Sequence, residues 1–176
     1  MNNKFLIAMF SFITLSLFSC GSSDKYLEVV EQLDINKYLG TWYEIARLPN
    51  SFEKNLDCVT AAYSLKENGD IKVLNKGYDI NNHAEIKDAA GTARVPDPKV
   101  PAKLKVRFFC PFTGNYWVIE LDKDYRYAMV GDPSRDYLWI LAREKTLDET
   151  IYQKLLKSAE EKGFNTKIII KVNQNL

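Results

Sequence analysis

The stretch that decides the fold reads VTAAYSL at residues 59–65, ENGD at residues 67–70 and IKVLNKGY at residues 71–78. Apolar and polar residues alternate in both outer runs, which is typical of half-buried β-strands. Asn68-Gly69 between two such runs is the strongest short hairpin signal, because a type I′ turn requires positive φ at both central residues. The sequence therefore predicts an antiparallel hairpin with Asn68 and Gly69 both in that conformation.

Similar runs on either side of this hairpin bring the predicted strands to eight. They are Thr41–Leu48, Ala84–Val95, Ala102–Phe109, Tyr116–Leu121, Tyr125–Val130 and Tyr137–Arg143. The connectors are short and rich in Asn, Asp, Gly and Pro, as hairpins in a meander require. Eight antiparallel strands can close into a barrel just wide enough for a small ligand. We therefore predict an all-β domain, an eight-stranded up-and-down antiparallel barrel.

The segment after the last of these strands departs from the alternation. Thr146 followed by Glu149 forms a capping box, the signal of a helix N-terminus. Apolar residues then recur every four positions until Gly163, at Leu147, Ile151, Leu155 and Ala159. This pattern predicts one C-terminal α-helix packed outside the barrel, followed by a short final strand at Thr166–Val172.

Residues 1–19 have the three parts of an export signal. Lys4 supplies the positive start, Phe5–Phe18 an apolar run of 14 residues, and Ser19 the small residue before the cut. That run is shorter than the roughly 20 residues that a membrane-spanning helix needs. Leu17-Phe18-Ser19-Cys20 resembles the bacterial lipobox, whose cysteine thiol is lipidated. We expect a signal peptide at residues 1–19 and a lipidated tether and lead-in at residues 20–35; an ordinary signal with an incidental Cys20 is the alternative.

Charge and motifs exclude several classes of function. The chain has 24 Lys and Arg against 23 Asp and Glu, and Lys4 lies in the leader, so the mature chain has 23 of each. This balance, without a basic run, gives no reason to expect a nucleic-acid partner. The sequence contains no nucleophile elbow, Gly-rich phosphate loop or Cys-x-x-Cys pair, and the candidate metal ligands are scattered. We expect no enzymatic activity, no cofactor and no metal.

Gly40-Thr41-Trp42-Tyr43-Glu44-Ile45, at the entry to the first strand, resembles the first motif of the lipocalin family, Gly-x-Trp. Gly131-Asp132-Pro133 before Asp136-Tyr137, and then Arg143, resemble the second and third motifs. The resemblance covers nearly the whole mature chain and is nearest to the branch of the bacterial outer-membrane lipocalin and apolipoprotein D. It implies a lipocalin domain at residues 36–176. It also implies that Gly40, Trp42 and Arg143 are structural, with Arg143 across Trp42 in a cation–π contact of about 0.5–2 kcal/mol.

The same resemblance implies a ligand site inside the barrel. Tyr63, Phe108, Trp117 and Trp139 match aromatic pocket residues of that branch, and plain core packing is the alternative for each. Large aromatic side chains with no charged residue among them suit an acyl chain. The family suggests a fatty acid or lysophospholipid, carried or stored in the cell envelope. Cys20 would anchor the domain to the outer membrane, on a face that the sequence leaves open, as it leaves open a homodimer.

Three alternatives remain at this stage. Cys58 and Cys110 form either a disulfide or two free thiols, and a free thiol in the cavity would allow a lipocalin-fold enzyme acting on a lipid-like substrate. An integral outer-membrane barrel would also alternate, with apolar residues facing lipid, but the amphipathic helix and the lipobox argue against it. An apolar barrel mouth that binds a protein is the third alternative.

Overall fold

The structure is a computed structural model, and it describes residues 26–175. Within this range no helix has the length and apolar character needed to cross a bilayer. The predicted export signal and the predicted lipidation of Cys20 lie outside the described residues. The lead-in runs along the barrel wall, where the Val30 N–H donates to the Val118 carbonyl oxygen at 3.0 Å.

The described residues form nine strands, two α-helices and one 3-10 turn. The strands are β1 (Gly40–Arg47), β2 (Leu56–Leu65), β3 (Ile71–Asp79), β4 (Asn82–Arg94), β5 (Lys103–Arg107), β6 (Gly114–Leu121), β7 (Tyr127–Gly131), β8 (Leu138–Ala142) and β9 (Ile170–Lys171). The helices are α1 (Ile35–Tyr38) and α2 (Glu149–Glu161), and the 3-10 turn is Thr166–Ile168. All eight predicted barrel strands are present, and each ends within three residues of its predicted limits.

The sheet closes on itself. Strands β1 to β8 pair antiparallel in sequence order, and β8 pairs with β1. One end of β1, Gly40–Tyr43, pairs with β2, and its other end, Ala46 and Arg47, pairs with β9. The predicted all-β barrel is therefore confirmed. Closure leaves no long free edge and encloses a space between the inner faces of the strands.

Helix α2 packs on the outer face of the barrel, as predicted. Its buried residues Tyr152, Leu155 and Ala159 join a cluster with outward-facing residues of the wall such as Met129 and Ile140. These contacts remove one face of an amphipathic helix from water. The helix therefore packs outside the barrel and does not occupy its interior.

The predicted capping box of α2 is wrong. The helix begins at Glu149, and its N-cap is Asp148, not Thr146. The Asp148 carboxylate accepts from the backbone N–H groups of Thr150 and Ile151 at 2.9 and 3.2 Å. An aspartate at this position caps two otherwise unpaired N–H groups, so the helix starts two residues later than predicted.

Two further local predictions need correction. In the β2–β3 turn only Gly69 has positive φ, +82°, so the turn is not type I′. The Lys66 carbonyl accepts from the Gly69 N–H, and the Lys66 N–H donates to Asp70, as in longer hairpin loops with a single left-handed glycine. The predicted final strand is also shorter, because Thr166–Ile168 form the 3-10 turn and only Ile170–Lys171 pair with β1.

The closed end of the barrel is built around Trp42 and Arg143. Trp42 is fully buried, and the guanidinium carbon of Arg143 lies 3.8 Å from the centroid of its ring. Arg143 also donates to the carbonyl oxygens of Lys37, Tyr38 and Leu39, which end helix α1. The arginine thus satisfies carbonyls that have no partner within the helix, and it fixes α1 over the end of the barrel.

Gly40 makes this arrangement sterically allowed. Its φ is +94°, a conformation that L side chains rarely adopt, and a Cβ atom there would lie 3.3 Å from Nη1 of Arg143. The glycine therefore turns the chain from α1 into β1 without displacing the arginine.

Candidate ligand cavity

A cavity of about 590 Å³ fills the barrel above the closed end and opens at the opposite end. Its wall is mostly apolar and comes from every side of the barrel, as in Val59, Ala61, Ile71, Val73, Ala93, Leu104, Val106 and Leu141. The volume lies within the roughly 300–1,000 Å³ of sites for small organic ligands. An apolar interior is the reverse of the polar lumen expected of an integral outer-membrane barrel.

Three of the four predicted pocket residues line this cavity. They are Tyr63 on β2, Phe108 just after β5 and Trp139 on β8. Phe108 is only partly buried and packs against the barrel core, and its ring lies against Gly91 of β4. The structure therefore brings these three aromatic side chains to one space.

The prediction that Trp117 faces the cavity is wrong. Tyr116 lines the cavity, and since neighbouring side chains on a strand point to opposite faces, Trp117 points outward. Trp117 packs against the outer cluster beneath α2, and the ammonium of Lys103 lies 4.4 Å from the centroid of its ring. The sequence alone does not indicate which of the adjacent aromatic residues Tyr116 and Trp117 faces inward.

A chain of three phenols lies at the floor of the cavity. The hydroxyl of Tyr116 is 2.8 Å from that of Tyr38 and 2.8 Å from that of Tyr63. Burial, the largest cause for each, raises the pKa of all three phenols, which are therefore neutral at physiological pH. The floor is thus polar but uncharged, and it can donate or accept one hydrogen bond to a ligand.

Two buried carboxyl groups, Glu44 and Glu53, also line the cavity, with 3% and 6% of their surface exposed. Nη1 of Arg47 donates to Oε1 of Glu44 at 2.7 Å, and Nη2 donates to the Glu53 carbonyl oxygen at 2.9 Å. Oε2 of Glu53 accepts from Nε1 of Trp139 at 3.0 Å and from Nδ2 of Asn50 at 2.6 Å. Burial, and next the charge of Glu53, raise the pKa of Glu44 well above its ordinary value.

These carboxyl groups correct the expectation of a pocket without charged residues. Glu44 lies two positions from Trp42 on β1, so strand alternation predicted that both share the inner face. Glu53 lies in the β1–β2 connector, where the sequence has no periodicity to place it. Asn75 is a further polar residue of the wall, and its buried Oδ1 has no hydrogen-bond partner among residues 26–175.

Exposed aromatic rings surround the mouth. Phe52 of the β1–β2 connector is 59% exposed, and Phe109 and Phe112 of the β5–β6 connector are 76% and 77% exposed. The rings of Phe52, Tyr137 and Trp139 contact one another, at centroid distances of 5.8, 6.0 and 6.3 Å. Apolar surface therefore continues from the solvent into the cavity.

Cys58 and Cys110 are not bonded to each other, so the disulfide that their spacing left open is not formed. Cys58 lies on β2 and Cys110 follows β5, and two further strands separate them around the barrel. Neither thiol lines the cavity. Burial, and next the charge of Asp57, raise the pKa of Cys58, which lowers its thiolate fraction.

Comparisons with known proteins agree with this architecture. Residues 33–174 match the model of the lipocalin-like domain. The chain is 47% identical over 150 residues to the outer membrane lipoprotein Blc of Citrobacter freundii, covering 85% of this chain and 84% of the relative. It is 42% identical over 132 residues to apolipoprotein D of Rattus norvegicus, covering 70% and 68%. The structure of insecticyanin from the tobacco hornworm Manduca sexta superposes with a TM-score of 0.66 at 23% identity, covering 84% of each chain.

Proposed function

The chain belongs to the lipocalin-like domain family, and we propose that it is a membrane-anchored carrier of one single-chain lipid in the cell envelope. The fatty acid or lysophospholipid would place its acyl chain in the cavity. The observation that carries this proposal is the cavity itself, which is about 590 Å³ in volume, mostly apolar and open at one end.

Burial of the acyl chain supplies the binding free energy. Each methylene group removed from water contributes about 0.8 kcal/mol. The wall is already formed by strands, so little further ordering opposes binding beyond the association cost of several kcal/mol. A long acyl chain therefore binds at micromolar strength or better, without any covalent step.

The location rests on the leader and on the relatives. Several relatives, including those of Citrobacter freundii and Escherichia coli K12, are named outer membrane lipoproteins. We propose that residues 1–19 are removed, that Cys20 is acylated and that residues 20–35 tether the barrel to the outer membrane. Two or more acyl chains make such an anchor durable. The mass of the mature N-terminal peptide tests this, since an unmodified Cys20 in membrane-fractionated protein contradicts the anchor.

A role in binding without catalysis fits the chemistry of the cavity. The carboxyl groups of Glu44 and Glu53 and the three phenols of the floor are paired with Arg47, with neutral donors or with one another, and the two thiols of the barrel lie elsewhere. An enzyme acting through a cavity thiol therefore has no support from the geometry.

Filling the cavity tests the carrier function. Ala61 lines the cavity, whereas Ala62, the next residue on β2, is absent from its wall and lies on the other face of the strand. Ala61→Trp should weaken the binding of palmitate and of a palmitoyl lysophospholipid at least about tenfold, because the indole occupies the acyl space. Ala62→Trp is the matched control and should stay within about twofold of the unmodified protein.

Fluorescence titration with delipidated protein measures both variants, and circular dichroism checks that they fold. Equal affinity of folded Ala61→Trp and the unmodified protein would show that the lipid binds outside the barrel.

A further inference from the structure

We propose that the Glu44–Glu53 pair selects the head group of the lipid and favours an ammonium-bearing zwitterionic lysophospholipid over an anionic single-chain lipid. This inference deepens the proposed function and rests on it. It concerns the upper wall of the cavity, above the phenol chain, where an amphiphile with its acyl chain inside would place its polar end.

The charges in this wall do not balance. Among the described residues, the one cation paired with these two carboxyl groups is Arg47, whose Nη1 lies 2.7 Å from Oε1 of Glu44 and whose Nη2 reaches Glu53 only at its backbone carbonyl. The other described donors to the pair, Nε1 of Trp139 and Nδ2 of Asn50, are neutral. The pair therefore either keeps a proton or carries one surplus negative charge, since like charges this close disfavour double ionisation.

A cationic head group can replace that proton. The raised pKa of Glu44 shows that the empty cavity favours its protonated form. An ammonium group beside the pair would supply the missing positive charge and offer N–H donors to carboxylate oxygens, while the proton leaves to solvent. An anionic head group would instead add a third negative charge to a buried site.

Asn75 is an independent observation that favours a lysophospholipid, whose head group brings hydrogen-bond donors, over a fatty-acid carboxylate. Asn75 lines the cavity, and its Oδ1 is buried and accepts no hydrogen bond within the described protein. Buried acceptors are normally paired, and leaving one unpaired is costly. A ligand that brings N–H or O–H donors satisfies this oxygen, whereas a carboxylate head group offers only acceptors.

The other ionisable groups of the wall are compatible with a zwitterion. The phenols of Tyr38, Tyr63 and Tyr116 are neutral, and Arg143 is occupied by backbone carbonyls below them. Lys76, Lys87 and Asp88 lie on the β3–β4 part of the wall, and Asp132 lies in the β7–β8 connector. These two lysines, of which Lys87 also pairs with Glu85, would attract the phosphate of such a lipid.

The test compares two lipids that share a chain and a phosphate. Palmitoyl lysophosphatidylethanolamine carries an ammonium group, and palmitoyl lysophosphatidylglycerol does not. The unmodified protein at pH 7.5 should bind the former about tenfold more tightly, as is typical of a buried charge that gains a partner. In Glu44→Gln/Glu53→Gln, which keeps the shape and one acceptor oxygen of each side chain but removes the charge, the ratio should fall below about twofold.

Glu120→Gln is the matched control. Glu120 lies on β6 but does not line the cavity, and its carboxylate binds Lys162 and Ser158 of α2 and its C-terminal end. Removing this outer carboxylate should leave the preference between the two lipids unchanged.

A second measurement needs no variant. Because the proton of the pair competes with the ammonium group, raising the pH from the acidic range should increase the affinity of the unmodified protein for the ethanolamine lipid more than its affinity for the glycerol lipid. Equal affinities at every pH, or a preference that survives in the double variant, would overturn the head-group inference while leaving the carrier function intact. Failure of both lipids to bind would instead overturn the proposed function.

Discussion

The two ends of the barrel are built on different principles. At the closed end Trp42 is fully buried against Arg143 and Tyr38, and its Nε1 donates to the Tyr38 carbonyl oxygen at 2.8 Å. Arg143 donates to backbone carbonyls around it. At the open end, aromatic rings such as Phe109 and Phe112 face solvent. Between them the wall holds a carboxyl pair with too few cations.

This difference separates stability from ligand selection. The closed end contributes packing and satisfied backbone groups, which stabilise the fold regardless of a ligand. The open half exposes apolar surface and holds Glu44 with its raised pKa, and both features cost stability in the empty protein. The proposed amphiphile would relieve both costs. Substitutions at the two ends should therefore affect different measurements.

The largest expected effect belongs to the closed end. Trp42→Ala should lower the free energy of unfolding by about 3–5 kcal/mol, because it leaves a cavity and removes the surface on which the guanidinium rests. Chemical denaturation measures the loss. The lipid affinity of the fraction that remains folded should be nearly unchanged. A loss below about 1 kcal/mol would mean that the closed end is not the stabilising element.

A smaller effect is expected in the cavity wall, where Trp139 and Trp117 form a matched pair. Trp139→Ala should weaken lipid binding about tenfold, because it removes apolar wall and the donor to Glu53. Trp117→Ala removes the same side chain from the outer face and should leave affinity within about twofold while lowering stability. Titration with palmitoyl lysophospholipid measures both, and equal losses in the two variants would contradict the assigned faces.

The barrel was predictable from the sequence because it rests on local patterns. Alternation and turn residues placed all eight strands, and the four-residue period placed α2. The errors concern local details. Asp148 caps α2 in place of Thr146, and in the loop after Leu65 only Gly69 has positive φ, whereas the prediction also gave it to Asn68. Neither error changes the topology, because either turn joins the same two strands and either N-cap begins the same helix.

The site was less predictable because it depends on which face each strand turns inward. The sequence placed Tyr63 and Trp139 on the cavity wall, where the structure has them. In β6 it could not separate Tyr116 from Trp117, because either aromatic residue could face inward. The structure places Trp117 outward, where it packs against the cluster under α2. The inward position of Glu44 could have been predicted from its two-residue spacing from Trp42 on β1. Glu53 reaches the cavity from a connector, and its position depends on long-range contacts such as that with Trp139.

The most direct measurement is a crystal structure of the delipidated protein soaked with palmitoyl lysophosphatidylethanolamine. We predict one acyl chain inside the barrel, between Tyr116 and Trp139, with the ammonium group against Glu44 and Glu53. A lipid bound on the outer wall, or a barrel interior filled by its own side chains, would contradict the account.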